Sequence, residues 1–473
     1  MQACFRRSYQ KLGGFMDRVC ERLARIVGEN YVSNMKEELY IYSQDPGMME
    51  PREPDYVVMP KTTVEVQKIV KLANEEKIPV IPVGGSLSLS GLVIPHKGGI
   101  VLDLKRMDKI IEVNERCRYV VIEAGVTTGR LKAYLEKHYP RLRFSIPDAP
   151  PSATVVGNIV IHGQGHLSQQ YGFNSDMVTG LEVVLPTGEI CKIGSCSVSP
   201  YWFSLAPLPD IAGLFLGWFG TTGIITKLGL RLYPRKKLRD IEVFIVEDPH
   251  LVPDVVYRVT HTEMAEDIFV NAQPYPPIFK DIIMMGICIT GDSEEELEFK
   301  RRMIWNVLRT YIDSKEGGFM MTTPDVKRAL LEMPITGTTR FADVMKGGGF
   351  EYCGPIIPVE KYPEAYKKLL ELSSEYGVTY GNTCRVIGRG HCMMFAFGYP
   401  FNRADPDNME RTKKALHESN VASLDIGGVP WKPEVPAQKM IMARMDKNTL
   451  ELMKRIKRFL DPNGIMNPGN WEG

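Results

Sequence analysis

The feature that most constrains this chain is a strand–helix–strand run ending in a glycine- and serine-rich loop. Tyr56-Val-Val-Met59 reads as a short apolar strand. Apolar residues at Val64, Val66, Ile69, Val70 and Ala73 then repeat at the helical period as far as Glu76, with Thr62 or Thr63 placed to cap the first turn. Ile78-Pro-Val-Ile-Pro-Val83 is a second strand, and it runs directly into Gly84-Gly-Ser-Leu-Ser-Leu-Ser-Gly91. Glycine tolerates positive φ and adds no Cβ bulk, so such a loop can turn several backbone N–H groups toward one point. The hydroxyls of Ser86, Ser88 and Ser90 add donors, and a diphosphate is a natural guest. A strand connection that holds nothing can have the same composition, and the loop alone leaves both readings open. Two other nucleotide motifs fail. A Walker loop requires Lys after its last glycine, where Leu92 stands. The nearest dinucleotide fingerprint, Gly163-Gln-Gly165, has Ser168 where the third glycine belongs, with no helical period after it.

The rest of the chain alternates helix and strand in the same mixed way, which predicts an α+β protein. Its 473 residues exceed the ~250–300 at which one core stops growing, so two lobes are expected. Residues 1–50 read as a helical segment followed by a Gly/Pro/Glu-rich connector. Residues 51–235 carry further strands at 99–104 and 119–124, a helix at 128–137, a hairpin at 181–193 turned by Pro186-Thr-Gly188, and an alternating strand at 224–232. In 236–440, strands at 241–246 and 282–290 alternate with amphipathic helices at 293–312 and 359–376, and a helix at 447–459 opens the closing segment, 441–473. The 58 basic and 57 acidic residues leave no electrostatic footprint for nucleic acid or a membrane surface. No stretch approaches the ~18 apolar residues of a membrane span. Charged residues at Lys11, Asp17, Arg18 and Glu21 interrupt any signal-peptide core. The nine cysteines show no C-x-x-C pair, which argues against zinc, iron–sulfur and c-type haem sites, and they read as reduced or buried thiols. A cytoplasmic protein without a metal site is the expectation.

Four ordered segments then make the chain resemble the vanillyl-alcohol oxidase/p-cresol methylhydroxylase superfamily of flavoproteins. Besides the loop, they are Pro147-Asp-Ala-Pro-Pro-Ser-Ala-Thr-Val-Val-Gly-Asn158 with the following Gly163-Gln-Gly-His-Leu-Ser-Gln-Gln-Tyr-Gly172, then Phe219-Gly-Thr-Thr-Gly-Ile-Ile-Thr-Lys227, and Leu460-Asp-Pro-Asn-Gly-Ile-Met-Asn-Pro-Gly469. The resemblance covers 51–235 and 395–470. It implies a two-part FAD-binding domain at 51–235, an α/β cap over the substrate at 236–440, an N-terminal segment packed on the FAD domain, and a C-terminal segment returning to it. It also implies FAD contacts at Pro82, Gly84, Gly85, Ser86, Leu87, Ser88, Ser90 and Gly91; at Pro147, Asp148, Ser152, Ala153, Val156, Gly157 and Asn158; at Gly163, Gly165, His166 and Tyr171; and at Gly223, Ile224, Ile225 and Asn467. Many relatives carry a histidine in the loop that bonds the flavin covalently. Here Gly85-Ser86-Leu87 stands in that neighbourhood, so the loop holds FAD without a covalent bond. The paired-histidine motif of lactate and glycolate dehydrogenases is replaced by Gly388-Arg-Gly-His-Cys-Met-Met394, and the Tyr-Arg pair of the phenol branch by Trp431-Lys432. Pro400-Phe-Asn-Arg-Ala-Asp-Pro406 is similar to the phenol branch's strand-to-helix turn.

Flavin oxidation needs a hydride-donating carbon and a group that handles the accompanying proton. The resemblance puts Asp148 beside the flavin's reactive nitrogen and His166 in a loop facing the ring. His391, Arg385 and Arg389 become candidate cap contacts to substrate, with Trp431 and Lys432 beside them. The expected activity is oxidation of a small alcohol, foremost a 2-hydroxy acid such as D-lactate or glycolate. A para-substituted phenol is the alternative, and an FAD-carrying electron-transfer subunit is a third reading. Electrons would leave to oxygen, a quinone or a partner subunit, in a homo- or hetero-oligomer.

Overall fold

The computed structural model describes residues 17–274, 281–331 and 349–472. The basic N-terminal start and Lys11 lie outside them. The strand–helix–strand run folds as its pattern dictates. The Thr62 hydroxyl accepts the Glu65 N–H at 3.2 Å, opening helix Thr63–Glu76, which ends at Lys77 in the left-handed region. Val66, Ile69, Val70 and Ala73 are buried on it, whereas Val64 faces solvent. A helical crossover makes the flanking strands parallel. Tyr56–Val58 and Val80–Val83 both pair in that sense with Ile100–Asp103, and Val32–Ser33 adds an antiparallel edge. Next to this sheet stands a five-stranded antiparallel one, ordered Ile110–Asn114, Tyr119–Glu123, Ile224–Arg231, Val178–Val184 and Ile190–Gly194. One apolar core joins the two sheets, helix Thr63–Glu76 and the helix Arg18–Val27.

The cap is, among the described residues, a nine-stranded antiparallel sheet running from Gly317–Phe319 through Leu238–Val246, Ile283–Gly291, Asp267–Ala272, Asn382–Ile387 and Cys392–Phe395 to Gly349–Ile357. Side chains alternate across a strand, so each face carries its own set. The rear face packs on helices Val252–His261, Glu294–Asp313, Tyr362–Tyr376 and Pro406–Asp425, burying Cys384, Val386, Met393 and Phe395. The front face carries two apolar patches, one of Ile241, Val243, Phe269 and Cys288, the other of Ile387, Met394 and Ala396. Between them lie two charged residues, Arg385 and Asp267. The apolar run 393–397 breaks at Ala396, whose N–H turns to Thr383 O at 3.1 Å. Cys392–Phe395 therefore pairs with Asn382–Ile387, and Phe397–Phe401 with Gly349–Ile357. Among the described residues no helix is long and apolar enough to cross a membrane.

Candidate active site

The glycine loop is held from outside so that its inner surface stays open. Gly91 N–H and the Ser88 hydroxyl both donate to Asp45 Oδ2, at 2.8 and 3.2 Å. The Ser90 hydroxyl donates to Ser88 O at 3.4 Å, and Lys432 Nζ donates to the same carbonyl. Two of the three serine hydroxyls expected to face a phosphate are thus spent inside the protein, and Ser86 alone keeps its hydroxyl for the cleft. Ser86 sits at φ 54, so the loop reverses direction there. Among the described residues the N–H groups of Gly85, Ser86, Leu87 and Ser88 donate to no protein acceptor. The glycines are needed for close packing. A Cβ on Gly84 would stand 2.3 Å from Thr154 Oγ1, and one on Gly85 would stand 3.1 Å from Ser152 O.

Beneath the loop runs a cleft that, with its open mouth included, spans about 1010 Å³. Pro82, Gly84, Gly85, Ser86, Leu87 and Ser88 line it, with Ala153, Val156, Gly157 and Asn158 opposite and Gly223, Ile224 and Ile225 at the strand end. These come from three of the sequence motifs, about 70 residues apart at each step, and the fold brings them to one wall. Thr154, Phe219, Gly220, Leu104, Ala124 and Phe215 line it too. The first three lie inside recognised motifs, but the last three carry no signal beyond being apolar. Ser90, Gly91, Pro147, Asp148, Ser152, Gly163, Gly165, His166, Tyr171 and Asn467 stand outside this wall. Tyr171 stacks on Tyr233 at 4.1 Å, and the Asn158 side chain occupies the space over Gly163. Asn467 Nδ2 ties Phe219 O to Leu92 O, at 2.6 and 3.0 Å.

This cleft fits a dinucleotide cofactor. Its lining is mostly apolar, with backbone N–H groups of the glycine loop at one end. No charged side chain lines it, so unpaired loop N–H groups are the neutralising donors for a diphosphate.

Asp148 directly precedes the cleft residue Ala149. Its side chain is 35% open. Desolvation by the surrounding protein pushes its carboxyl above the usual range, against the pull of Arg385. Arg385 Nη1 is 3.2 Å from Asp148 Oδ2, and Nη2 is 3.2 Å from Asp267 Oδ2. These are ion pairs without hydrogen-bond geometry: Arg385 Nε and Nη1 and both Asp267 oxygens are buried and unsatisfied. Arg239 Nε and Nη2 and both polar atoms of Gln164 are in the same condition. Burial lifts Asp267 to about 6. His166 is driven well below its normal range by burial and by the cations Arg239, Arg143 and Arg385. Its Nδ1 lies 3.2 Å from the Ile146 N–H, while Ile146 O already accepts the His166 N–H. The ring is neutral, and Nδ1 also stands 3.3 Å from Ile146 O, so whether it accepts or donates follows the tautomer. The structure therefore brings Asp148, Arg385 and His166 into one neighbourhood. It does not bring His391 there, since that residue is exposed on the turn before Cys392–Phe395. Arg389 is likewise exposed, paired with Glu263. Trp431 Nε1 donates to Ile161 O, and Lys432 Nζ lies 4.5 Å over the Tyr352 ring. Sequence reading missed Asp267 and Arg239, which lie in no motif, and Gln164, which sits inside the 163–172 segment but was not singled out there.

Comparison with known proteins agrees with this geometry. Residues 54–194 match the FAD binding domain, and 355–471 match the C-terminal domain of FAD linked oxidases. The chain is 30% identical to the 4-cresol dehydrogenase [hydroxylating] flavoprotein subunit of Pseudomonas putida, over 96% of this chain and 95% of that one. This chain belongs to the FAD-linked oxidases. It is also 29% identical to a mitochondrial D-lactate dehydrogenase [cytochrome] of Arabidopsis thaliana, over 88% of this chain and 73% of the relative. Glycolate oxidase subunit GlcD of Bacillus subtilis is 24% identical over 95% and 96%. The fold matches that of p-cresol methylhydroxylase with substrate bound, at a TM-score of 0.82 and 19% identity over 96% of each chain. The protein is an FAD-dependent oxidoreductase with a two-part FAD-binding domain and a cap.

Proposed function

We propose that this oxidase acts on a small 2-hydroxy acid of the lactate or glycolate kind. One observation carries the reading. Arg385 and Arg239 bury unsatisfied donors, Asp267 buries unsatisfied acceptors, and Gln164 buries both. Orphaned buried polar atoms cost ~1–3 kcal/mol each, so the set calls for a guest that both accepts and donates. A carboxylate beside a hydroxyl meets that demand. The D-lactate dehydrogenase and glycolate oxidase relatives support the same substrate class.

Bound FAD supplies a two-electron acceptor for hydride. Gly85 through Ser88 would hold its diphosphate by backbone N–H groups, and the apolar cleft wall would exclude water. The two arginines orient the substrate carboxylate. Asp148 takes the hydroxyl proton as the C–H bond breaks and the C=O bond forms. Its raised carboxyl brings its proton affinity closer to that of a working base at neutral pH. Neutral His166 offers a hydrogen bond rather than a charge.

The second reading, oxidation of a para-substituted phenol, is favoured by the cap's front face, where Tyr352, Trp431 and Phe173 pack on Ile387 and Met394, and by the 4-cresol dehydrogenase relative. An anaerobic screen followed by flavin absorbance decides between the two. Bleaching by D-lactate or glycolate is the expected result. Bleaching by 4-alkylphenols alone would replace the first reading with the second, and bleaching by neither would sink both.

A further inference from the structure

Glu266 is buried at the seam between the two halves, and Arg143 reaches across to it. Arg143 lies on strand Leu142–Arg143, paired with Tyr233–Pro234, and its Nε donates to Pro234 O at 3.0 Å. Its Nη1 donates to Glu266 Oε1 at 2.9 Å and its Nη2 to Oε2, a bidentate fork. Thr290 Oγ1 donates to the same Oε2 at 3.0 Å, the Glu266 N–H donates to Cys288 O at 2.7 Å, and Arg239 Nε stands 3.6 Å from Oε1. The next residue, Asp267, is an ion-pair partner of Arg385.

We propose that Glu266, fixed by Arg143, is a positioning residue that sets how Arg385 is shared between Asp148 and Asp267. The inference rests on the reading of Asp148 and Arg385 as the reactive pair. The cluster holds three arginines, Arg143, Arg239 and Arg385, and three carboxyls, Asp148, Glu266 and Asp267. Glu266 occupies Arg143 fully and Arg239 in part, which leaves Arg385 to the two aspartates. Without its charge, Arg143 and Arg239 turn to the nearest acceptor with free lone pairs, Asp267, whose oxygens have no hydrogen bond. Arg385 then swings toward Asp148, holds it ionised and weakens it as a base.

The test uses Glu266→Gln and Glu266→Asp in the FAD-loaded protein, with two readouts. The first needs no substrate. The groups facing Asp267 are Arg385, Arg239, Asp148, Glu266 and Cys288, and Glu266 is among those that raise it. A raised carboxyl costs stability as pH rises from 3.8 to about 6, so the wild type loses stability across that window. Removing the Glu266 charge lowers Asp267, and Tm of Glu266→Gln relative to wild type should rise between pH 4.5 and 6.5. The second readout is flavin reduction by hydroxy acid, whose acid limb should move down by about 0.5 pH unit or more in Glu266→Gln and return in Glu266→Asp. Should Glu266→Gln fail to retain FAD, Thr290→Val loosens the same carboxylate and should shift both readouts in the same direction by less. A Tm difference flat with pH, together with an unmoved acid limb, would show that Glu266 only packs the seam. A wild type bleached by no hydroxy acid would overturn the substrate reading, while the Tm comparison would still decide the role of Glu266.

Discussion

At the scale of single residues, two carboxyls raised by desolvation do different work. Asp148, beside the cleft residue Ala149, is proposed to take a proton. Asp148→Asn keeps the volume and removes the base, so FAD content should be unchanged while the rate of flavin reduction falls by about 10²–10⁴. Stopped-flow reduction at saturating substrate measures this, and a loss felt only in KM would reassign Asp148 to binding. Glu351 lies elsewhere, beneath Gly47 and near Lys432, and burial lifts it from 4.5 to about 8. The sign is that of a raised acid. Between those values the folded protein holds a proton that the unfolded chain has lost, so stability falls as pH rises through the window. The slope approaches ~1.4 kcal/mol per pH unit at its steepest. Glu351→Gln should remove that slope, giving a variant that gains on wild type from pH 5 to 8 in urea unfolding. A constant difference between the two curves would mean that Glu351 is ionised in the fold.

At the scale of elements, the glycine loop shows what could be read in advance and what could not. Its strand, helix and turn were legible because helical periodicity and glycine placement are local properties of the chain. Its hydroxyl partners were not. Asp45 binds Ser88 and Gly91 from more than 40 residues away. The same limit explains the catalytic candidates. Asp148 was found through its motif and Arg385 as a candidate cap contact. Asp267 and Arg239 became visible only once Asp267–Ala272 and Leu238–Val246 were placed in the cap sheet. His391 looked equivalent to Arg385 in sequence, but it falls on the turn instead of the strand. The loop's tight seat on Thr154 gives a prediction. Gly84→Ala places a methyl 2.3 Å from the hydroxyl that caps helix Val155–Val160, so either the loop or the cap must move. Purified Gly84→Ala should carry less than half the wild-type flavin per protein by absorbance. Gly213→Ala, where a Cβ meets nothing within 4 Å, should carry the full amount.

At the scale of the whole molecule, the chain's end completes the wall that its first half begins. The Val80 N–H donates to Ile465 O at 2.7 Å and Asn467 N–H to Val80 O at 2.8 Å, so the tail adds to the parallel sheet beside the loop. Asp461 accepts from the N–H groups of Ile465 and Met466, at 3.0 and 2.9 Å, which folds the tail into its turn. Trp471 stacks on Phe219 at 5.5 Å. Asn467, held at φ 39, then joins Leu92 to Phe219, two cleft residues far apart in sequence. The strain of that backbone is tolerated because both amide hydrogens find carbonyls. Asn467→Ala removes two buried hydrogen bonds, worth about 1 kcal/mol each, and frees the two walls to separate. If the clip serves mainly to hold the cleft closed around FAD, the loss falls on the loaded state. The FAD dissociation constant should then rise by about tenfold, and the Tm gained on adding FAD should shrink. An equal fall in Tm with and without FAD would instead mean that the clip stabilises the fold whether or not the cleft is filled. Fluorescence titration of apoprotein with FAD, beside paired melting curves, separates the two outcomes.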